Sequence, residues 1–115
     1  MAGRPETPGG GTPGRERERD GAVLAEKRRK VARPPKFKVI LYNDDYTPME
    51  FVVAVLEQVF GKGPTEATQL MLQIHRSGLG IAGVYVLEVA ETKAATVHRL
   101  AESQGYPLRA GVEKE

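Results

Sequence analysis

Two features of the sequence carry residue types that could bind a ligand. The first is the run Asn43-Asp44-Asp45, which follows an apolar segment, and the second is His75. Met71 lies four residues before His75, so the two side chains share one face if this segment is helical. An acidic loop and an imidazole, each with apolar neighbours, could form a binding site with a polar part and an apolar part.

Each feature also has a plainer interpretation that the residues leave open. Asn and Asp side chains bond readily to their own backbone, so the acidic run could be only a turn. His75, like His98, could be a structural histidine near a helix end. Zinc sites use three or more protein ligands and calcium loops need more oxygen ligands at regular spacing, so we predict no metal site.

Motifs of common enzyme classes are absent from the sequence. It contains no cysteine, no Gly-x-Ser-x-Gly elbow, no Walker loop and no dinucleotide fingerprint. We therefore predict a protein that is not an enzyme and needs no cofactor. On these grounds alone, the prediction goes no further than a small α/β binding domain.

The spacing of apolar residues predicts the elements that would position the candidate residues. A short strand, Phe37–Tyr42, runs into the acidic loop. Thr47-Pro48-Met49-Glu50 has the pattern of a capping box, with Thr47 as N-cap, and predicts a helix that continues to Phe60. A second helix is predicted from Pro64 to Ser77.

The rest of the chain predicts a strand, a helix and a closing strand. The strand spans Leu79–Val89, with Gly83 allowing a bulge, and the helix covers about residues 91–104. Leu108–Val112 alternates in the manner of an edge strand. The order β-α-α-β-α-β predicts an α/β (α+β) fold in which a three-stranded antiparallel sheet packs on three helices.

Composition divides the chain of 115 residues into two parts. Residues 1–35 contain five of the eight prolines, few apolar residues and an alternating Arg/Glu run, which predicts a disordered N-terminal arm. Residues 36–115 hold most of the apolar residues and form the predicted domain. We expect a cytoplasmic protein that does not engage a membrane, because no segment has the apolar length of a span.

Charge is also divided between the two parts. The arm carries nine Lys/Arg against five Asp/Glu, whereas the domain carries eight against ten. A nucleic-acid-binding domain should have its positive charge on the folded surface, so we expect no nucleic acid as partner.

Three separated motifs resemble one known family. They are VILYNDDYTPMEFV at residues 39–52, ATQLMLQIH at residues 67–75 and EVAETK at residues 88–93. The sequence from about residue 36 to residue 115 is similar, in the same order, to ClpS, the adaptor of the bacterial ATP-dependent Clp protease. The resemblance implies that the chain recognises N-degron substrates, whose first residue is Leu, Phe, Tyr or Trp. It also implies delivery to the N-terminal domain of the ClpA unfoldase, for degradation by ClpP.

The resemblance implies a role for individual residues as well. At matching positions, Asn43 and His75 would bond the substrate α-amino group, Asp45 would do so through water, and Asp44 would help to shape the loop. Glu88 and Lys93 match positions associated with docking on the unfoldase. The side-chain pocket would be lined by Leu41, Thr47, Met49, Val52, Met71, Ile74 and Leu108, with Met49 narrowing it against β-branched side chains.

Physical chemistry agrees with this assignment. A chain N-terminus is an ammonium with three donors, so it needs converging acceptors. In an extended strand, positions 41, 43 and 45 would point the same way and bring a pocket wall and two acceptors together.

Two other functions stay open at this stage. A small helix-on-sheet domain with a basic arm also suits a nucleic-acid-associated or ribosome-associated module, although the acidic domain argues against it. A metal-dependent hydrolase using His75 and the two aspartates is the other alternative.

Overall fold

A computed structural model describes residues 33–115 of the chain, and the predicted arm over residues 1–35 falls almost entirely outside this range. The elements follow the predicted order β-α-α-β-α-β, so the predicted fold class is confirmed. They are the strands β1 (Lys36–Tyr42), β2 (Leu79–Val86) and β3 (Arg109–Lys114) and the helices α1 (Met49–Gln58), α2 (Pro64–Ser77) and α3 (Leu87–Gln104).

The three strands form an antiparallel sheet in the order β2-β1-β3, with β1 in the centre. The register between β1 and β2 shifts between Val39, which pairs with Gly83, and Ile40, which pairs with Ile81. Ala82 is therefore the extra residue of a bulge, as the glycine beside it indicated.

The core lies between one face of the sheet and the three helices. Val39 and Leu41 of β1 are fully buried there, because alternate residues of a strand point to the same face. Each helix contributes apolar residues at helical spacing. The buried residues of this core cluster are Val39, Leu41, Val52, Val55, Leu56, Phe60, Ala67, Met71, Ile74, Ala82, Ala90, Ala94, Val97, Ala101 and Leu108.

The start of α3 differs from the prediction. The helix begins at Leu87, directly after β2, whereas the sequence predicted strand through Val89 and helix from about residue 91. Leu87 and Val89 extend the run of β-forming residues, yet each is 41% exposed. The buried face of α3 starts only at Ala90, so apolar spacing revealed the helix one turn late.

The predicted capping box is wrong. Pro48 occupies the N-cap position of α1, and no side chain among the described residues caps this helix start. The Thr47 hydroxyl instead donates a hydrogen bond of 2.8 Å to Oδ2 of Asp44. A carboxylate is a strong acceptor close at hand, so the hydroxyl bonds backwards into the loop rather than forwards to the helix.

The ends of α2 agree with the signals in the sequence. Pro64 is its first residue, where the missing N–H costs nothing. Gly78 caps its C-terminus in the left-handed conformation, with φ of 92°, and its N–H donates to the Ile74 carbonyl. This turn reverses the chain into β2 just after His75.

Candidate functional site

A surface cavity of about 190 Å³ lies between the loop that follows β1 and the first two helices. Its lining comes from four separate parts of the chain: the end of β1 and its loop, α1, the second half of α2, and the residue before β3. The lining residues are Tyr42, Asn43, Asp44, Asp45, Thr47, Met49, Val52, Met71, Ile74, His75 and Leu108.

The apolar part of the cavity is formed by side chains that belong to the core. Val52, Met71, Ile74 and Leu108 are all buried and pack in the core cluster. Met49 differs, since 41% of it is exposed at the start of α1. The cavity therefore has a buried apolar floor, and Met49 is an exposed apolar residue in its lining.

The polar part of the cavity is exposed to solvent. Asn43, Asp45 and His75 are all exposed side chains. The backbone N–H of Asn43 donates to the Gly78 carbonyl at 2.9 Å, which ties the end of β1 to the end of α2. This bond explains why an asparagine and a histidine from distant parts of the sequence line one cavity.

Asp44 holds the loop in shape. Its Oδ1 accepts hydrogen bonds from the backbone N–H groups of Tyr46 at 2.8 Å and Thr47 at 2.7 Å, while Oδ2 accepts from the Thr47 hydroxyl. Partial burial on its own would raise the pKa of Asp44, but the Thr47 hydroxyl and the two backbone donors outweigh it and lower the pKa below its ordinary value of 3.8. Because both carboxylate oxygens already accept bonds within the loop, Asp44 stabilises the turn that presents its neighbours.

The structure brings together ten of the eleven residues predicted for the amine and side-chain sites. The exception is Leu41, which is fully buried in the core and does not line the cavity. β1 ends at Tyr42 and the chain bends at residues 45–47, so the extended backbone expected to align positions 41, 43 and 45 does not continue through the loop.

Tyr42 lines the cavity and was missed from the sequence. Strict alternation would turn it away from the side to which Leu41 points, so periodicity argued against it. Its position directly before Asn43 was the only signal that could have suggested it.

The two residues expected to contact the unfoldase are both outside this cavity, on α3. Glu88 is exposed in the first turn. Lys93 is half-buried, and its ammonium donates to the Val59 carbonyl at 2.7 Å and lies 5.2 Å from the centre of the Tyr85 ring and 5.9 Å from that of Phe60. Lys93 thus stabilises the C-terminal end of α1 through contacts inside the domain.

The second histidine has a structural contact. Nε2 of His98 accepts a hydrogen bond of 3.0 Å from the backbone N–H of Ala110 in β3. His98 does not line the cavity. Across residues 33–115, no group of three or more His, Cys, Asp or Glu side chains could hold a metal ion, and no helix is long and apolar enough to cross a membrane.

These features define a small α/β domain in which one surface cavity combines hydrogen-bond acceptors with apolar side chains. Residues 32–111 match the family described as "ATP-dependent Clp protease adaptor protein ClpS". The chain belongs to the ClpS family of Clp protease adaptors, as the three sequence motifs predicted.

Relatives and a solved structure agree with this assignment. The ClpS adapter of Desulfatibacillum aliphaticivorans is 56% identical over 95 residues, which cover 83% of this chain and 91% of that protein. That of Myxococcus xanthus is 49% identical over 100 residues, covering 85% and 94%. The structure of Agrobacterium tumefaciens ClpS2 bound to L-phenylalaninamide is similar with a TM-score of 0.69 and 40% identity, covering 71% of this chain and 99% of that one.

Proposed function

We propose that this adaptor binds proteins by a free N-terminal Leu, Phe, Tyr or Trp and delivers them to a ClpA-type unfoldase for degradation by ClpP. One observation carries the proposal: a single cavity is lined both by acceptors at its mouth, on Asn43 and His75, and by a buried apolar floor. Such a site can read two properties of a chain end together, its positive charge and its first side chain.

Recognition of the α-amino group follows from the chemistry of these acceptors. An N-terminal ammonium has three N–H donors, whereas an internal peptide group has one. The Asn43 carbonyl and a neutral His75 nitrogen would each accept one bond, and Asp45 would supply negative charge through a bridging water. Asp44 acts indirectly in this scheme, since its carboxylate holds the loop.

Recognition of the first side chain follows from the buried floor. Burying one Leu or Phe side chain contributes roughly 1.5–3 kcal/mol, and each charge-assisted hydrogen bond contributes about 1.5–3 kcal/mol. For one side chain and two direct bonds these terms sum to roughly 4.5–9 kcal/mol before the cost of association, so binding should be no tighter than about micromolar, or about 8 kcal/mol. An affinity of this order lets an adaptor release its cargo.

The solved relative supports the same scheme. L-phenylalaninamide has a free α-amino group and an aromatic side chain, and an amide replaces its carboxylate, so chemically it resembles the first residue of a polypeptide. The Agrobacterium tumefaciens ClpS2 that binds it shares 40% identity with this chain. This supports the proposal that the same class of ligand binds in the cavity described above.

Delivery requires a second surface, and α3 offers one. We propose that Glu88 and Lys93 contribute to contact with the N-terminal domain of the unfoldase. Glu88 is exposed in the first turn of α3, and Lys93 lies further along the same helix. Neither residue lines the cavity, so cargo and unfoldase could be bound at the same time.

A reconstituted degradation assay tests the proposal. A fluorescent substrate that begins with Leu is mixed with ClpA and ClpP, with and without this chain, beside a substrate that begins with Ala. We expect the chain to accelerate loss of the Leu substrate alone. Asn43→Ala should weaken the effect about tenfold or more, whereas Arg76→Ala, an exposed residue that does not line the cavity, should leave it unchanged. Equal degradation with and without the chain would refute delivery.

A further inference from the structure

We infer that His98 is a positioning residue for the side-chain pocket: by bonding β3 it holds Leu108 in the pocket wall and so helps to set which first residues are accepted. His98 is itself outside the cavity. The inference rests on the proposed function, because it concerns the selectivity of the same pocket.

The bond from β3 to His98 uses an amide at the edge of the sheet. Within the described sheet, β3 pairs with β1 alone, and in an antiparallel pair alternate amides of an edge strand point away from the neighbouring strand. The N–H of Ala110 donates to Nε2 of His98, 3.0 Å away, in a partly buried environment. Since Nε2 accepts, the neutral ring carries its proton on Nδ1.

Leu108 lies between two attachments to the same helix. Before it, the N–H of Tyr106 donates to the Ala101 carbonyl at 2.9 Å, at the end of α3. After it, Ala110 is held by His98, from the middle of α3. The segment that carries Leu108 is therefore fastened to α3 at both ends.

The helix that provides both attachments is packed against the core. Val97 and Ala101, which flank His98 along α3, are buried in the core. Leu108 is only 3% exposed, yet it lines the cavity, so a small movement of β3 would change the shape of the pocket wall. Loss of the His98 bond removes one attachment and leaves a partly buried amide unpaired.

Two variants and a control test this role. His98→Ala removes the acceptor, His98→Gln restores one through its amide oxygen, and Arg99→Ala alters the exposed neighbouring position. Affinities for otherwise identical peptides beginning with Leu and with Trp are measured by fluorescence anisotropy. In His98→Ala we expect the ratio of the two affinities to differ from the wild-type ratio by roughly two- to tenfold. The ratio should return to the wild-type value in His98→Gln and should be unchanged in Arg99→Ala.

Hydrogen exchange and methyl NMR give a readout that is independent of peptide binding. The Ala110 amide should lose protection and the Leu108 methyl resonances should shift in His98→Ala, and both should recover in His98→Gln. An unchanged affinity ratio with unchanged Leu108 resonances in a folded His98→Ala protein would overturn the inference.

Two further outcomes are also decisive. If His98→Ala does not fold, ¹⁵N NMR of the wild-type protein identifies the tautomer of His98. A proton on Nε2 would overturn the inference. A proton on Nδ1, together with wild-type selectivity in His98→Gln, would support it. Wild-type protein that binds neither peptide would refute the proposed function. The structural part of the inference, that His98 positions Leu108, would then be judged by the Leu108 resonances alone.

Discussion

Asp44 shows how a residue can belong to a binding site without facing the ligand. Its carboxylate accepts three hydrogen bonds from the two residues that lead into α1, and these bonds fix the turn that presents Asn43 and Asp45. The resemblance to ClpS implied that Asp44 helps to shape the loop, and the hydrogen bonds of its carboxylate agree with that role.

We predict that Asp44→Ala lowers the free energy of unfolding by about 1 kcal/mol at neutral pH. Because the folded pKa lies below the ordinary 3.8, the extra stability is complete above that value and is lost as the pH falls through the folded pKa. The difference between wild type and variant should therefore shrink in acid. Urea unfolding at pH 7 and pH 2.5 measures it, with Asp44→Asn, which keeps one acceptor oxygen, as control. A difference that grows in acid would contradict this.

Met49 is the lining residue whose removal should change selectivity with least damage to the core, because 41% of it is exposed. We predict that Met49→Ala widens the mouth of the pocket and admits peptides that begin with Ile or Val. Val84→Ala is the matched control, since Val84 is 38% exposed and does not line the cavity. A peptide panel measures the change, and identical selectivity in Met49→Ala and wild type would refute it.

At the scale of elements, α1 and α3 are joined through the Lys93 ammonium. It bonds the Val59 carbonyl, which follows the last residue of α1, and lies against the rings of Phe60 and Tyr85. A lysine assigned to unfoldase contact by resemblance therefore also has a structural partner inside its own domain. Loss of docking in a Lys93 variant has two possible causes, and stability separates them.

We predict that Lys93→Met lowers the free energy of unfolding by about 1–2 kcal/mol, because the carbonyl loses a charged donor and the rings lose a cation. Thermal unfolding measures the loss. Lys62→Met is the control: its 3.6 Å ion pair is with Glu66, whose side chain is 64% exposed, so the pair contributes little. If the wild type and Lys93→Met were equally stable, Lys93 would have no stabilising role inside the domain, and a loss of docking in the variant would be due to lost contact with the unfoldase.

The element order could be predicted because each helix and strand has its own local signal. Pro64 and Gly78 mark the ends of α2, and the apolar run of β1 is short and rich in β-formers. The start of α3 could not, since exposed Leu87 and Val89 continue a strand-like run into the helix. The local pattern also predicted that the Thr47 hydroxyl would cap α1, whereas this hydroxyl donates to the carboxylate of Asp44.

The site could be predicted only in part from the residues themselves. Spacing brought Met71 and His75 to one helix face, but Val52 and Leu108 reach the cavity through tertiary packing, which no local pattern encodes. Their inclusion came from the resemblance to ClpS. Leu41 is buried in the core and does not line the cavity, whereas Tyr42 does, because the packing around the end of β1 decides which residues reach the cavity surface.

At the scale of the whole molecule, the ClpS match covers residues 32–111 and leaves most of the N-terminal arm outside it. We predict that deleting residues 1–21 spares peptide binding but impairs degradation of a substrate with N-terminal Leu. The cavity lies wholly within residues 42–108, so the deletion removes none of its lining. Parallel anisotropy and degradation assays separate the two effects. Normal degradation by the shortened protein would leave the arm without a role in delivery.

The central claim is that the cavity reads a free chain end and its first side chain together. Fluorescence anisotropy with pairs of peptides tests it most directly: one pair begins with Leu, one with Ala, and each pair has one free and one acetylated α-amino group. The claim predicts micromolar binding of the free Leu peptide and loss of most of that affinity on acetylation or on change to Ala. Equal binding of the free and acetylated Leu peptides would contradict it.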